Sequence, residues 1–116
     1  MEYGMNSTLK VHFLDIETSI LDSIEFIFKQ ENKNDAKMKK YVVWNRNVVT
    51  DDVYTLDDDL TNFYIPFTKE DTFNFKPNKD FFIDARIHYI DTFDNPHVKV
   101  VGIPMLSGLF GEGDGN

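Results

Sequence analysis

Apolar and polar residues alternate with a period of two along most of this chain, in short runs separated by turn residues. Leu9, Val11 and Phe13 alternate with Lys10 and His12, and Ile24, Phe26 and Phe28 alternate with Ser23 and Glu25. Successive side chains of an extended strand point to opposite faces, so each run predicts a strand with one buried face. After turn residues at 31–34, a third run covers 38–44 and stops at Asn45-Arg46-Asn47. A weaker run at 53–56 ends at the aspartates Asp57, Asp58 and Asp59. Phe63, Ile65 and Phe67 then form an apolar face opposite Asn62, Tyr64 and Pro66. Pro66 has no amide hydrogen, which predicts an edge position or the end of that strand.

Thr68 stands three residues ahead of Asp71, the spacing of a reciprocal capping box, and predicts a short helical turn over 69–73. Turn residues at 76–79 lead into the longest alternation. Phe81, Ile83, Ala85, Ile87 and Tyr89 share one face of it, and Phe82, Asp84, Arg86, His88 and Ile90 the other. A hairpin loop at 92–96 and a last strand at 97–103 complete the pattern. The stretch 14–26 also fits a helix, since Ile16, Ile20 and Ile24 share a helical face; its β-branched residues and alternating flanks favour a strand. Strands at this spacing predict an all-β fold, an Ig-like β-sandwich of about seven strands. The sandwich is expected over 8–103, with an N-terminal arm at 1–7 and an apolar segment and flexible acidic tail at 104–116.

Composition narrows the chemistry. The chain has 116 residues, the size of one domain, with eleven Phe, five Tyr and one Trp. That ring content suffices to build a core, and most of the rings are needed for it. With no Cys, thiol catalysis, disulfides and Cys-based zinc sites are excluded. Twelve basic against twenty acidic residues give a net charge of −8, which is not the footprint of a general nucleic-acid binder. The charge is unevenly placed. Residues 29–46 hold six basic and two acidic groups, a local +4, so the remainder carries −12. Such a bipolar layout suits docking to another protein better than phosphate-backbone binding, but the favoured reading of the basic stretch is a solvated hairpin. The first ten residues lack a basic segment followed by an apolar one, so no secretory signal is expected, nor any apolar run long enough to span a bilayer.

Several groupings invite a chemical reading. Asp51, Asp52, Asp57, Asp58 and Asp59 suggest a calcium loop, but lack EF-hand spacing and fit strand-ending loop carboxylates. Asp84, Arg86 and His88 share a strand face, with His88 a candidate base and Asp84 its orienter; no nucleophile or pocket accompanies them, so a polar sheet surface is expected. His12, His88 and His97 show no metal-ligand spacing, and phosphate-loop, dinucleotide and hydrolase motifs are missing. Trp44, Tyr41, Tyr54 and Tyr64 are candidates for a sugar-stacking platform if they share an exposed face. The uncharged stretch 103–110, with Met105, Leu106, Leu109 and Phe110, is expected to fold back onto the core or dock into a neighbouring subunit.

Residues 65–89, IPFTKEDTFNFKPNKDFFIDARIHY, resemble small structural proteins of tailed bacteriophages that infect low-GC Gram-positive bacteria. Those proteins carry a strand, a turn and short helix of pattern (L/F)T-x-E-(E/D)-T-x-x-F-x-x-(G/N)-K, then a long strand with an Arg near its middle. The matching positions are Phe67, Thr68, Glu70, Asp71, Thr72, Phe75, Asn78, Lys79 and Arg86. Residues 22–30 are similar to their second strand, and the strand–turn plan is similar to the N-terminal domains of upper-baseplate proteins. The loop at 91–97 is longer than is usual in that group, and the apolar ending departs from it. The resemblance implies a head, neck or tail accessory protein of the virion and carries over no catalytic residue.

These readings lead to one expectation: a non-enzymatic phage virion component that docks onto copies of itself or neighbouring virion proteins. It is expected to need no cofactor, metal, nucleic acid, membrane or small-molecule substrate, and to reside in the virion and, during assembly, in the host cytoplasm. The expected partner-binding residues are Ile103, Met105, Leu106, Leu109 and Phe110 of the apolar ending, Ile65 and Phe67 of an edge strand, and Lys37, Lys39 and Lys40 of the basic hairpin. The alternatives are a carbohydrate- or receptor-binding module of a phage tail, using Trp44 and the tyrosines, and a small phage regulator that binds a host protein.

Overall fold

The computed structural model describes residues 7–30, 37–76 and 79–105, with Met105 described by its backbone alone. In chain order the elements are β1 (Ser7–His12), a single 3-10 turn (Thr18–Ile20), β2 (Leu21–Gln30), β3 (Lys37–Asn45), β4 (Asn62–Phe67), α1 (Lys69–Phe73), β5 (Phe81–Ile90) and β6 (Pro96–Met105). One sheet has four antiparallel strands in the order β3-β2-β5-β6, and β1 and β4 form a second antiparallel pair. This is the expected all-β sandwich with one short helix.

The alternating pattern explains the layers. Ile24, Phe26 and Phe28 lie on the inner face of β2, in register with Trp44 and Val42 of β3 and with Ile87, Ala85 and Ile83 of β5. Leu9 and Val11 of β1 and Phe63, Ile65 and Phe67 of β4 close over them. The aromatic side chains meet between the layers. Phe26 lies 5.8 Å from Phe63, Phe28 5.2 Å edge-on from Phe67, and Trp44 5.2 Å edge-on from Phe63. Edge-on pairs place the positive rim of one ring against the negative face of the next, which adds to their area burial.

Two expectations change in detail. The run at 53–56 forms no strand; it contributes a single bridge in which Tyr54 and Tyr64 exchange backbone hydrogen bonds of 2.9 and 2.8 Å. A turn follows at once, with Asp57 in the left-handed region at φ 54° and the Asp59 amide donating to the Leu56 carbonyl. The helical alternative for 14–26 is not adopted: only 18–20 turn, and β2 begins at Leu21. Ile16 and Ile20 pack against the core from this connection, so the apolar spacing is used without a helix. The turns at 31–34 and 76–79 fall wholly or partly outside the described residues.

α1 is held by the capping box its sequence predicts. The Thr68 amide donates to Asp71 Oδ2 at 2.9 Å, and the Asp71 amide donates to Thr68 Oγ1 at 3.1 Å. The same Asp71 Oδ2 accepts a 2.8 Å hydrogen bond from Lys40 Nζ, which lies 5.0 Å from the centre of the Phe67 ring. Burial works to raise the Asp71 carboxyl, but the bonds from Lys40 and Thr68 outweigh it and hold it below the ordinary carboxylate range. A depressed carboxyl stabilises the fold above its unfolded pKa of about 3.9, and that contribution disappears as pH falls through the folded value. Melting temperatures of wild type and Asp71→Asn should therefore differ at neutral pH and converge below about pH 4. A gap that stays constant to low pH would contradict this assignment.

Candidate docking surface

The outer face of the four-stranded sheet carries the polar row expected at Asp84, Arg86 and His88, but joins it differently. His88 Nε2 is 2.6 Å from Glu25 Oε2, and Tyr41 donates its hydroxyl to Glu25 Oε1 at 2.9 Å. Asp84 pairs with Lys29 Nζ at 3.3 Å, and exposed Arg86 stands opposite Glu25 in register. The His88 hydrogen bond, helped by Tyr41 and opposed by partial burial, lowers the Glu25 carboxyl; the bond to Glu25 in turn raises the Tyr41 phenol. Asp84 therefore does not orient His88. The row is a set of cross-strand pairs between β2, β3 and β5, which fix register and keep one sheet face wet.

Beyond this row the surface turns apolar. Val98 and Val100 on β6 stand opposite His88 and Arg86 of β5 and are 56% and 62% exposed. Exposed Ile90 lies at the end of β5 in register with Pro96. β6 is also a sheet edge, since among the described residues it pairs only with β5. A ten-residue edge offers backbone donors and acceptors to another strand, and two exposed valines beside it add apolar area. The β5–β6 turn is well fixed. Asp91 Oδ1 accepts from the amides of Phe93 and Asn95, and Asp91 Oδ2 lies 2.8 Å from His97 Nε2. These bonds, that to His97 foremost, bring the Asp91 carboxyl down to about 2.

The expected partner-binding residues are scattered. Ile65 and Phe67 are buried, which corrects their assignment as contacts: they point into the core, and the edge of β4 already carries the Tyr54 bridge. Lys40 is likewise corrected, because it turns inward to Asp71 and Phe67 instead of outward with a basic hairpin. Lys37 is exposed and Lys39 half-buried on β3. Ile103 is half-buried opposite Ile83. The side chain of Met105 and all of Leu106, Leu109 and Phe110 lie outside the described residues. Val98 and Val100 were legible only as part of a strand with apolar residues on both faces.

The other candidates separate as well. Trp44 is 8% exposed and belongs to the core, Tyr41 lies on the outer face of the large sheet, and Tyr54 and Tyr64 stack on each other 5.4 Å apart. These four rings form no common platform. Asp59 accepts from Thr61 and Asn62, which bring its carboxyl down to about 2, while Asp57 and Asp58 line an open cleft with Trp44 and Tyr54. His12 hydrogen-bonds Asn62 at 2.7 Å, so each imidazole has its own partner. Among the described residues no three His, Asp or Glu side chains gather as a metal site would require, and no helix is long and apolar enough to cross a membrane. Comparison with protein-family models, with curated proteins and with solved structures finds no match to this chain.

Proposed function

We propose that this chain is a non-enzymatic structural component of a phage virion, in the head, neck or tail, that works by docking onto copies of itself or neighbouring virion proteins. The observation that carries the docking reading is β6, a ten-residue strand whose outer edge pairs with no other strand among the described residues and which leaves Val98 and Val100 exposed. A partner strand laid against this edge gains main-chain hydrogen bonds for affinity and contacts to alternate side chains for specificity. The virion assignment rests on the resemblance of residues 65–89, whose capping box and following long strand are both formed.

The test replaces the exposed valines, Val98→Lys with Val100→Glu, in a phage that supplies wild-type and variant chains together. Both substitutions face solvent, so the free variant should melt within a few degrees of wild type. Purified particles should contain wild-type chain and be depleted of the variant by roughly tenfold, the equivalent of about 1.4 kcal/mol of docking energy. Equal incorporation would remove β6 as the docking edge.

A further inference from the structure

In an antiparallel ladder both backbone polar groups of a residue point to the same side, and the sides alternate along the strand. Pro104 sits within β6, between Ile103 paired with Ile83 and Met105 paired with Phe81. Its nitrogen cannot donate, so it belongs on the side facing away from β5. β4 obeys the same rule: Tyr64, two residues before Pro66, exchanges both its backbone bonds with Tyr54 on the side away from β1. Counting across the large sheet gives the same phase for β6. The Arg46 amide donates to the Asp22 carbonyl at 3.0 Å, which turns the backbone groups of Ile24 and Phe26 toward β3. Those of Ile87 and Ala85 then face β6, and those of Lys99 and Val101 face β5. The outer edge of β6 therefore presents the amides of Val98, Val100 and Gly102, with Pro96 and Pro104 at its two ends.

This edge complements itself. Val100 stands midway between the two prolines, four residues from each. We infer that two copies of the chain pair β6 with β6, antiparallel about a two-fold axis at Val100, and join their four-stranded sheets into one of eight strands. Val100 then faces Val100 of the other copy, Val98 faces Gly102, and Pro96 faces Pro104. Each outward amide meets a carbonyl: Val98 donates to Gly102, Gly102 to Val98, and Val100 to Val100. The prolines meet where the ladder ends, so no donor is lost to them.

The side chains fit the same register. Exposed Val98 lies against Gly102, which has no side chain to obstruct it, and exposed Val100 packs on its counterpart. The valines of both copies thus close into one apolar stripe. Lys99, the one permanently charged side chain of β6, faces Val101. Pairing Val98 with Val100 instead would set Lys99 against Lys99, and like charges directly opposite are destabilising. A two-fold contact requires a single patch that complements itself, which the proline spacing, the Val98–Gly102 fit and the unopposed lysines supply. The inference rests on the reading of β6 as the docking edge and names a second copy as its occupant.

Sedimentation of the purified chain alone tests it. At roughly 100 µM the wild type should run as a dimer. Val100→Glu and Val100→Lys each place like charges opposite one another at the axis and should weaken the dimer about tenfold or more. Mixed in equal amounts, the two variants should restore it as a one-to-one pair. Val49→Glu, at a loop position that is 99% exposed, should leave the dimer intact. Should either charged variant melt well below wild type, cross-linking decides in its place. The chain has no Cys, so Val100→Cys carries a single thiol that a short bis-maleimide should join to that of the second copy. A monomeric wild type, a mixture that stays monomeric, or no cross-link would overturn the inference. The docking reading fails separately: a monomer whose Val98→Lys/Val100→Glu variant is still depleted from particles leaves β6 as an edge for another protein, whereas a dimer whose variant enters particles equally removes only the docking role.

Discussion

Replacing Phe28 by alanine should remove about 3–5 kcal/mol of stability, the range for deleting a fully buried phenylalanine. Phe28 is the central ring between the layers, with centroids of Phe67, Phe75 and Phe81 at 5.2, 6.4 and 6.4 Å. It lies on the central strand β2, flanked on the same face by Ile83 of β5 and Lys40 of β3, so no neighbour can collapse into the space without breaking register. Against a total of about 5–15 kcal/mol for a domain of this kind, the variant retains little margin. Urea unfolding should show the midpoint falling with the slope unchanged. A loss under about 1 kcal/mol would mean that the layers do not meet through this ring.

The second large effect is expected at Gln30, which is fully buried at the end of β2. Its Nε2 donates to the carbonyls of Lys76 and Lys79 at 2.8 and 3.1 Å, and its Oε1 accepts from the Lys76 amide at 2.6 Å. One side-chain amide thereby ties the connection between α1 and β5 to the sheet. Gln30→Ala strips these backbone groups of their partner and should cost about 1–3 kcal/mol. Gln30→Glu should rescue nothing, because a carboxylate keeps the acceptor, loses the donor and buries a charge. The accompanying sign is local: the Lys76 amide should exchange faster in both variants while the Phe26 amide stays protected. If the Glu variant matched wild type, the bonds to the two carbonyls would carry no weight.

Much of this fold could be read from residue order, and the exceptions have physical causes. β5 was plain because its ten-residue alternation leaves one register in which Phe81, Ile83, Ala85, Ile87 and Tyr89 are all buried. α1 was plain because capping is local chemistry. The same period also pointed Gln30 inward, behind Ile24, Phe26 and Phe28, and Lys40 inward behind Trp44 and Val42. Reading Lys40 as one of a run of charges obscured this; its long stem lets it enter the core edge while its ammonium reaches Asp71. Over 53–56 the run is too short to separate a strand from a loop whose Val53 is buried.

The docking face was the least legible part. Residues 97–103 alternate with apolar side chains on both sides, and which side stays uncovered depends on which face of the large sheet the second sheet packs against. That placement follows from how distant strands pair, since β1 joins β4 across some fifty intervening positions. Local pattern carries no such information. Ile65 and Phe67 show the converse case: Pro66 hints at an edge, yet side-chain alternation sends both neighbours into the core.

The proposed role is tested most directly by quantifying this chain in purified phage particles by mass spectrometry. The account predicts a fixed number of copies per particle, retained through density-gradient purification and high salt, as apolar strand-edge docking requires. Recovery of the chain only in the soluble lysate, with particles free of it, would contradict the account.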